Sequence, residues 1–509
     1  MAGAASAAAR RITAGACWAS AGYLLLRIVF YYFQIAGTRR HHLEAASLIF
    51  VAALIIRVLA STGGRPGDDR VPSEPLHPLM ALAFVAAALL LYWPVLFAGL
   101  FADDFVLIDA ARSGRYTVWH ELFRPALFVV WRGALALSQN PAVFLHAVNI
   151  VLHGVNAFLV CRLVRSMTRR RDLALAAGAL FLAFPAAVEA VAWPSGLQDV
   201  LMTTCVLAAL VAALDTRTPW IRFTAISVAF FTGVMAKETA IAIPVLLAAL
   251  GVVPAARKSA WTAAAWCAAL TAVFLIVRFS LLPLPASYSP AANRYALKEL
   301  LVRPFATLVV PLRLDETLRA PLLGVLSGGA VVLLLAVTAS RSGRGDRAAA
   351  NAAAATVFVL GSVAPVLAYF YVDADLLGSR YLYLAVAGWV LLLVSCAGAL
   401  AGHRALALSP LVCLIAFWIP ATRSHLALWQ QAAETRQRML SAAAAAADRS
   451  CAGWVVSGVP PTLAGVPLFV NGFPEAARPA LGEPVHIAPA LPADGQCRLT
   501  WTGVGFVRD

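Results

Sequence analysis

The segment FADDFVLID sets Asp103 and Asp104 side by side directly after a long apolar run. Neighbours on one helical turn point in different directions, so the two need not share a proton. One can face a bundle interior while the other caps the next helix or binds a substrate hydroxyl. The following stretch, 100–142, carries Arg112, Arg115, His120, Glu121, Arg124 and Arg132 among many aromatics, the composition of amphipathic helices at a membrane surface. Further along, FLAFPAAVEAVAWPSGLQDVLMTT holds Glu189 and Asp199. Glu189 follows a proline between apolar residues, which is costly unless it lines a wet cavity. GVMAKETAIAIP puts Lys237 and Glu238 at a tight turn between apolar stretches, and DADLLGSRYLYLAVAGW sets Arg380 beside Tyr381 and Tyr383 at the entrance of another. Taken singly, the Lys–Glu and Arg–Tyr pairs read as interfacial anchors. Taken together, these acids and bases suit proton transfer to a carboxylate and anion binding by fixed cations.

Other patterns carry less chemistry. His146, Asn149, His153 and Asn156 recur at spacings of three and four in HAVNIVLHGVN and share one helix face, which suits interhelical hydrogen bonding. A metal site would want a closer pair with carboxylate support. The Asp103–Asp104 pair leaves a divalent metal open, and no cofactor is implied with certainty. No P-loop, GxGxxG, nucleophile elbow or HExxH is present, so nucleotide binding and proteolysis have no support. The eight cysteines form no CxxC pair, which argues against zinc, and six of them lie in apolar stretches as packing residues.

The elements that must position these residues are membrane spans. Of 509 residues, 61% are hydrophobic and 13% charged, and the mean hydropathy is +0.80. A soluble chain of this length could not hide so much apolar surface. A formal net charge of +15 would suggest nucleic acid on a soluble protein; here it reads as positive-inside topology, with no nucleic-acid partner. Apolar runs long enough to span lie near 77–99, 143–164, 173–193, 199–214, 221–236, 239–254, 260–281, 320–339, 351–371, 382–402 and 405–420, preceded by two more near 13–35 and 44–62. Residues 1–76 read as extra helices of uncertain topology, the first a retained span rather than a cleaved signal. One set of short loops carries Arg165, Arg169, Arg170, Arg171, Arg217, Arg222, Arg257, Lys258, Arg341, Arg344, Arg347 and Arg404 against only Asp172, Asp215 and Asp346. That set is expected on the cytoplasmic side, and the candidate site residues on the other. Arg39, Arg40, His41 and His42 run against this assignment.

Beyond about residue 421 the composition changes. Residues 424–447 read as helix, and WVVSGV, VPLFVNG, PVHIAPA and CRLTWTGVGFV then alternate with Pro and Gly turn signals as short strands. Cys451 and Cys497 bracket this part and can pair if it lies outside the cytoplasm.

The ordered blocks FADDF, RPALFVVWRGALAL, FLHAVNIVLHGVNAFLV, FPAAVEAVAWPSGLQDVL, AKETAIAIPVLL and GSRYLYLAVAGW resemble the membrane part of the transmembrane and tetratricopeptide-repeat O-mannosyltransferase family and its bacterial relatives. More broadly they resemble the GT-C class of membrane glycosyltransferases, which includes protein O-mannosyltransferases and lipid A aminoarabinose transferase. The resemblance implies an all-α polytopic membrane protein of about 11–13 spans. Its GT-C-like catalytic domain would cover 77–420, the extent of the resemblance; the extracytoplasmic helix and small β-rich module at 421–509 depart from the family. It also implies transfer of a sugar from a polyprenyl-phosphate donor to a hydroxyl on the extracytoplasmic face, of the plasma (inner) membrane if the protein is bacterial. An acid at the end of the first core span acts as base in that class, which matches Asp103 and Asp104. The family blocks carry Glu189 and Arg380 over by position. Arg380 and Lys237 would bind the donor phosphate, with Asp199, Glu238, Arg124 and Tyr381 nearby. The chain departs from the family in carrying no tetratricopeptide array, so a protein, lipid or polysaccharide acceptor is equally compatible with it. The alternatives are a transporter or flippase of a lipid-linked saccharide, and a non-catalytic assembly factor. A transporter would place charges near the bilayer midplane and show paired halves, and neither feature is present.

Overall fold

The computed structural model describes residues 79–115, 124–216, 218–253, 256–281, 297–313, 345–367, 371–399, 404–448, 450–482, 484–487 and 496–508. The expected spans near 13–35, 44–62 and 320–339, the whole 1–76 region, and His120 and Glu121 lie outside them.

Apolar runs fold as helices because every backbone group is then satisfied within the segment. In chain order these are α1 Leu79–Tyr92, α2 Asp103–Arg112, α3 Pro125–Leu137, α4 Pro141–Thr168, α5 Arg171–Leu182, α6 Val188–Ala192, α7 Leu197–Asp215, α8 Pro219–Ala236, α9 Ile243–Leu250, α10 Arg257–Leu281, α11 Leu297–Val309, α12 Gly345–Leu367, α13 Tyr383–Ala399 and α14 Arg404–Ala446. Among the described residues, six helical segments are long and apolar enough to cross a membrane. Helices α5 and α6, bent by 50° at their junction, make a seventh. The protein is a multi-pass membrane protein.

Five expected spans come out differently among the described residues, and two of them, 77–99 and 351–371, appear as the shorter apolar helices Leu79–Val95 and Ala350–Val366. The 173–193 run breaks at Pro185, whose ring cannot continue the ladder, and so becomes a bent pair. The 239–254 run becomes a 3₁₀ turn over 238–242 followed by the short helix α9, again with a proline, Pro244, in its first turn. The 405–420 span and the helix expected at 424–447 are one continuous helix, α14, which passes through Pro410 and Pro420. At 43 residues it is about 65 Å long, more than a bilayer's hydrocarbon core.

Helix α4 is the centre of the bundle, packing on α1, α5 and α7, while α7 packs on α8, α9 on α10 and α12, and α12 on α13. Gly154 sets how closely α1 meets α4: a Cβ there would lie 2.5 Å from Val85 Cα. The alternation of basic and site-bearing loops is realised along these helices. His146 and Asn149 lie near the start of α4 and Arg165 near its far end, about 42 Å of helix in all. At that far end Arg162 pairs with Asp215 at 2.6 Å, and Arg222 donates to Ser259 at 2.9 Å.

The C-terminal module is α+β. Strand β1 Gly453–Ser457 lies between β4 Val485–Ile487 and β5 Gln496–Trp501, parallel to both, and β6 Phe506–Arg508 completes the order β4-β1-β5-β6. A small hairpin, β2 Thr462–Leu463 with β3 Val466–Pro467, and helix α15 Phe473–Leu481 fill the crossover. Only Val466–Pro467 of the VPLFVNG block is strand; the rest runs as a loop to α15. Cys451 and Cys497 are joined by a disulfide. Cys161, Cys205, Cys267 and Cys396 are buried free thiols, and Cys413 is exposed on α14.

Candidate active site

The acids and bases picked out from the sequence converge at one end of the bundle. They are carried by the loop into α2, the turns around α6 and α7, the α8–α9 turn and the loop into α13.

Asp103 and Asp104 have opposite surroundings. Asp104 is fully buried. Its Oδ2 accepts the Phe101 backbone N–H at 2.8 Å, and its Oδ1 accepts the Ser195 N–H at 2.8 Å together with the Ser195 hydroxyl. Burial pushes the Asp104 carboxyl up to about 8 in spite of these three donors. Asp103 remains half-buried, with Oδ1 accepting from Asn471 Nδ2 at 2.7 Å. Adjacent positions on a helix lie about 100° apart, so one faces the core and the other meets the C-terminal module.

Glu189 clamps the loop that carries Arg380. Its Oε1 accepts the Gly378 N–H at 3.1 Å, and its Oε2 accepts the Arg380 N–H at 2.9 Å and the Ser379 hydroxyl at 3.2 Å. The carboxylate thus sits on the first N–H groups of the 379–398 span, where helix ends favour an anion. The Arg380 guanidinium stacks 4.1 Å from the Trp193 ring centroid and donates from Nη2 to Tyr381 Oη at 3.1 Å. Its Nη1 is 3.8 Å from Glu189 Oε1. Among the described residues its buried Nε and Nη1 find no hydrogen-bond acceptor. Asp103, Asp199 and Glu189 all lie within electrostatic reach of it.

Lys237 and Asp199 form a buried ion pair at 2.5 Å, each side chain 3% exposed, and the Lys237 ammonium also lies 4.5 Å from the Tyr381 ring centroid. Burial pulls Lys237 below the usual lysine range against the pull of Asp199. Asp199 Oδ2 has no hydrogen-bond donor among the described residues. Arg124 completes the ring, with Nη2 2.8 Å from Glu238 Oε2 and Nη1 on Gln198 Oε1.

The polar face of α4 holds the loops that bear these groups, as its spacing predicts. His146 Nε2 bonds the Gly99 carbonyl at 2.8 Å, and Asn149 Nδ2 donates to the Trp193 carbonyl at 2.8 Å. Asn156 Nδ2 donates to the Val200 carbonyl at 3.1 Å, and His153 Nδ1 meets Tyr383 Oη at 2.7 Å. Arg436 on α14 donates to the carbonyls of Ala98, at 2.9 Å, and Leu100.

Sequence reasoning missed Trp193, Ser195, Asn471 and Arg436. Ser195 and Trp193 lie inside the WPSGLQD block beside Asp199, and that adjacency was the available signal. Nothing local marks Asn471 or Arg436, whose partners are more than 300 residues away in sequence. Among the described residues no group of three His, Cys, Asp or Glu side chains is arranged to hold a metal ion.

No family model matches the chain. Over 113 residues it is 36% identical to Protein O-mannosyl-transferase Tmtc1 of Drosophila melanogaster, a match covering 22% of this chain and 13% of that protein. Over 151 residues it is 32% identical to Protein O-mannosyl-transferase Tmtc2 of Drosophila melanogaster, covering 28% of this chain and 16% of that protein. The match thus spans less than a fifth of either relative's length. The crystal structure of ArnT from Cupriavidus metallidurans bound to undecaprenyl phosphate aligns over 84% of this chain and 93% of that chain, with a TM-score of 0.43 and 17% identity. The likeness to O-mannosyltransferases expected from the motifs is borne out over these segments, and the chain is similar in sequence to both Tmtc proteins there.

Proposed function

We propose that this protein is a membrane glycosyltransferase that moves a sugar from a polyprenyl-phosphate donor to a hydroxyl acceptor at the site end of the bundle. The observation that carries the reading is a half-exposed carboxylate, Asp103, within electrostatic reach of a buried guanidinium, Arg380, whose Nε and Nη1 lack acceptors among the described residues. Such a cation is suited to an anionic group entering the cleft.

In this reading Asp103 takes the proton of the acceptor hydroxyl as its oxygen bonds to the anomeric carbon. The bond from that carbon to the phosphate oxygen breaks, and the polyprenyl phosphate leaves with the electron pair. Arg380, with Lys237 behind it, stabilises the growing negative charge in a low-dielectric site. No covalent sugar–enzyme step is needed, so the anomeric configuration inverts. Asp104 and Glu189 act as positioning residues, since all four of their carboxylate oxygens already hold the loops. Asp199 and Glu238 hold the cations Lys237 and Arg124, and Tyr381 orients Arg380. The arginine-rich ends opposite the site support an extracytoplasmic face for it, of the plasma (inner) membrane if the protein is bacterial. The Tmtc relatives' names support a mannosyl-type sugar and a protein acceptor.

The test is transfer of labelled sugar from a panel of polyprenyl-phosphate sugars by the purified protein, beside Asp103→Asn. Turnover with one donor, abolished by the substitution, supports the reading. Donor binding without turnover, insensitive to Asp103→Asn, favours a transporter or a catalytically silent relative.

A further inference from the structure

The C-terminal module reaches into the site. Asn471 Nδ2 donates to Asp103 Oδ1 at 2.7 Å, and the Leu468 carbonyl accepts the Ala102 N–H at 2.9 Å. Ala102, immediately before Asp103, is held at φ 40° and ψ −114°, a strained conformation for a residue with a Cβ that persists only where neighbours enforce it. Gly472 supplies part of that enforcement. At φ +82° it packs so closely that a Cβ would lie 2.4 Å from the Ala102 carbonyl oxygen. Phe105 stacks on Phe469 at 6.2 Å, and Arg478 pairs with Asp109 at 3.1 Å, so the module grips α2 along its first two turns. On the other side Arg313 donates to the Ala464 carbonyl, and Gly465 packs against Asp375 in the loop that leads to Arg380. The stretch 464–472 therefore touches the loops that carry Asp103 and Arg380.

We propose that this module is a working part of the active site and that Asn471 is a positioning residue for Asp103, which rests on the reading of Asp103 as base. A half-exposed carboxylate can rotate freely about its side-chain bonds. An amide donor held on Oδ1 fixes the carboxylate plane and leaves Oδ2 for the acceptor hydroxyl. A base displaced by about 1 Å can cost on the order of a hundredfold in rate.

The experiment compares kcat and the donor KM of the full chain with those of Asn471→Ala, Asn471→Asp and Asp103→Asn, the Cys451–Cys497 disulfide being verified in each. Asn471 is exposed, so both of its variants are expected to fold. Asn471→Ala is expected to lower kcat by about tenfold to a hundredfold with the donor KM changed by less than about twofold. Asn471→Asp, of the same shape but without the donor and with a like charge, is expected to lose more. Unchanged kcat in Asn471→Ala, with Asp103→Asn inactive, overturns this inference alone. A raised donor KM at unchanged kcat also overturns it, because Asn471 would then bind donor rather than orient the base. Full turnover by Asp103→Asn overturns the base assignment and this inference with it.

Discussion

Glu189 holds Arg380 at two points: Oε2 accepts the Arg380 backbone N–H at 2.9 Å, and Oε1 lies 3.8 Å from the guanidinium Nη1. Removing the acid therefore frees the loop and strips the buried cation of its counter-charge together. Glu189→Ala is expected to destabilise the protein by about 3–5 kcal/mol, read as a lower melting temperature in detergent. Glu189→Gln keeps the shape but turns an amide donor towards backbone N–H groups, and should fall between the two. A melting temperature unchanged in Glu189→Ala would show that the clamp does not hold in the folded protein.

Lys237 makes alkaline pH a second probe. Burial lowers its proton affinity, so the ammonium is lost in a pH window that opens below the ordinary 10.5. Donor affinity should fall as pH rises through that window. Stability moves the other way there, because the unfolded chain binds the extra proton and the folded one does not. Lys237→Met should abolish the alkaline fall in donor affinity and leave affinity uniformly low, which donor titrations at several pH values would read. It also leaves Asp199 buried without its cation, so a loss of about 3–5 kcal/mol is expected.

Asp104 should behave quite differently from Asp103. Its carboxyl, raised to about 8, favours the protonated folded protein. That contribution is complete below the ordinary value of 3.8 and is lost as pH rises through about 8. The melting temperature should decline across this range, and less so in Asp104→Asn, which stays neutral throughout. Asp104→Ala leaves the Phe101 and Ser195 N–H groups without their acceptor, at about 1–3 kcal/mol each. Identical pH profiles of stability in wild type and Asp104→Asn would refute the assignment.

The disulfide closes a loop with a sequence separation of 46 residues. In the chain-entropy model this is worth about 4 kcal/mol to the C-terminal module. Cys451→Ser should make 453–508 far more susceptible to protease than the helical bundle is. Thiol labelling before reduction should reach neither Cys451 nor Cys497 in the wild type.

By itself the sequence determined the membrane class, six of the spans among the described residues and the set of ionisable residues at helix ends. These follow from local properties: apolar run length, where arginines fall, and the cost of placing a charge next to lipid. The polar face of α4 was also legible, since a helical period is enough to align His146, Asn149, His153 and Asn156. Only the tertiary structure decided which aspartate is buried, that Glu189 serves a loop rather than the cleft, and that α14 runs on through Pro420. It also brought Asn471 and Arg436 to the loop before α2. Each of these depends on what lies opposite a residue across the bundle. Asp103 and Asp104 share type and local sequence, and differ only because Ser195 and Phe101 close over one while the C-terminal module meets the other.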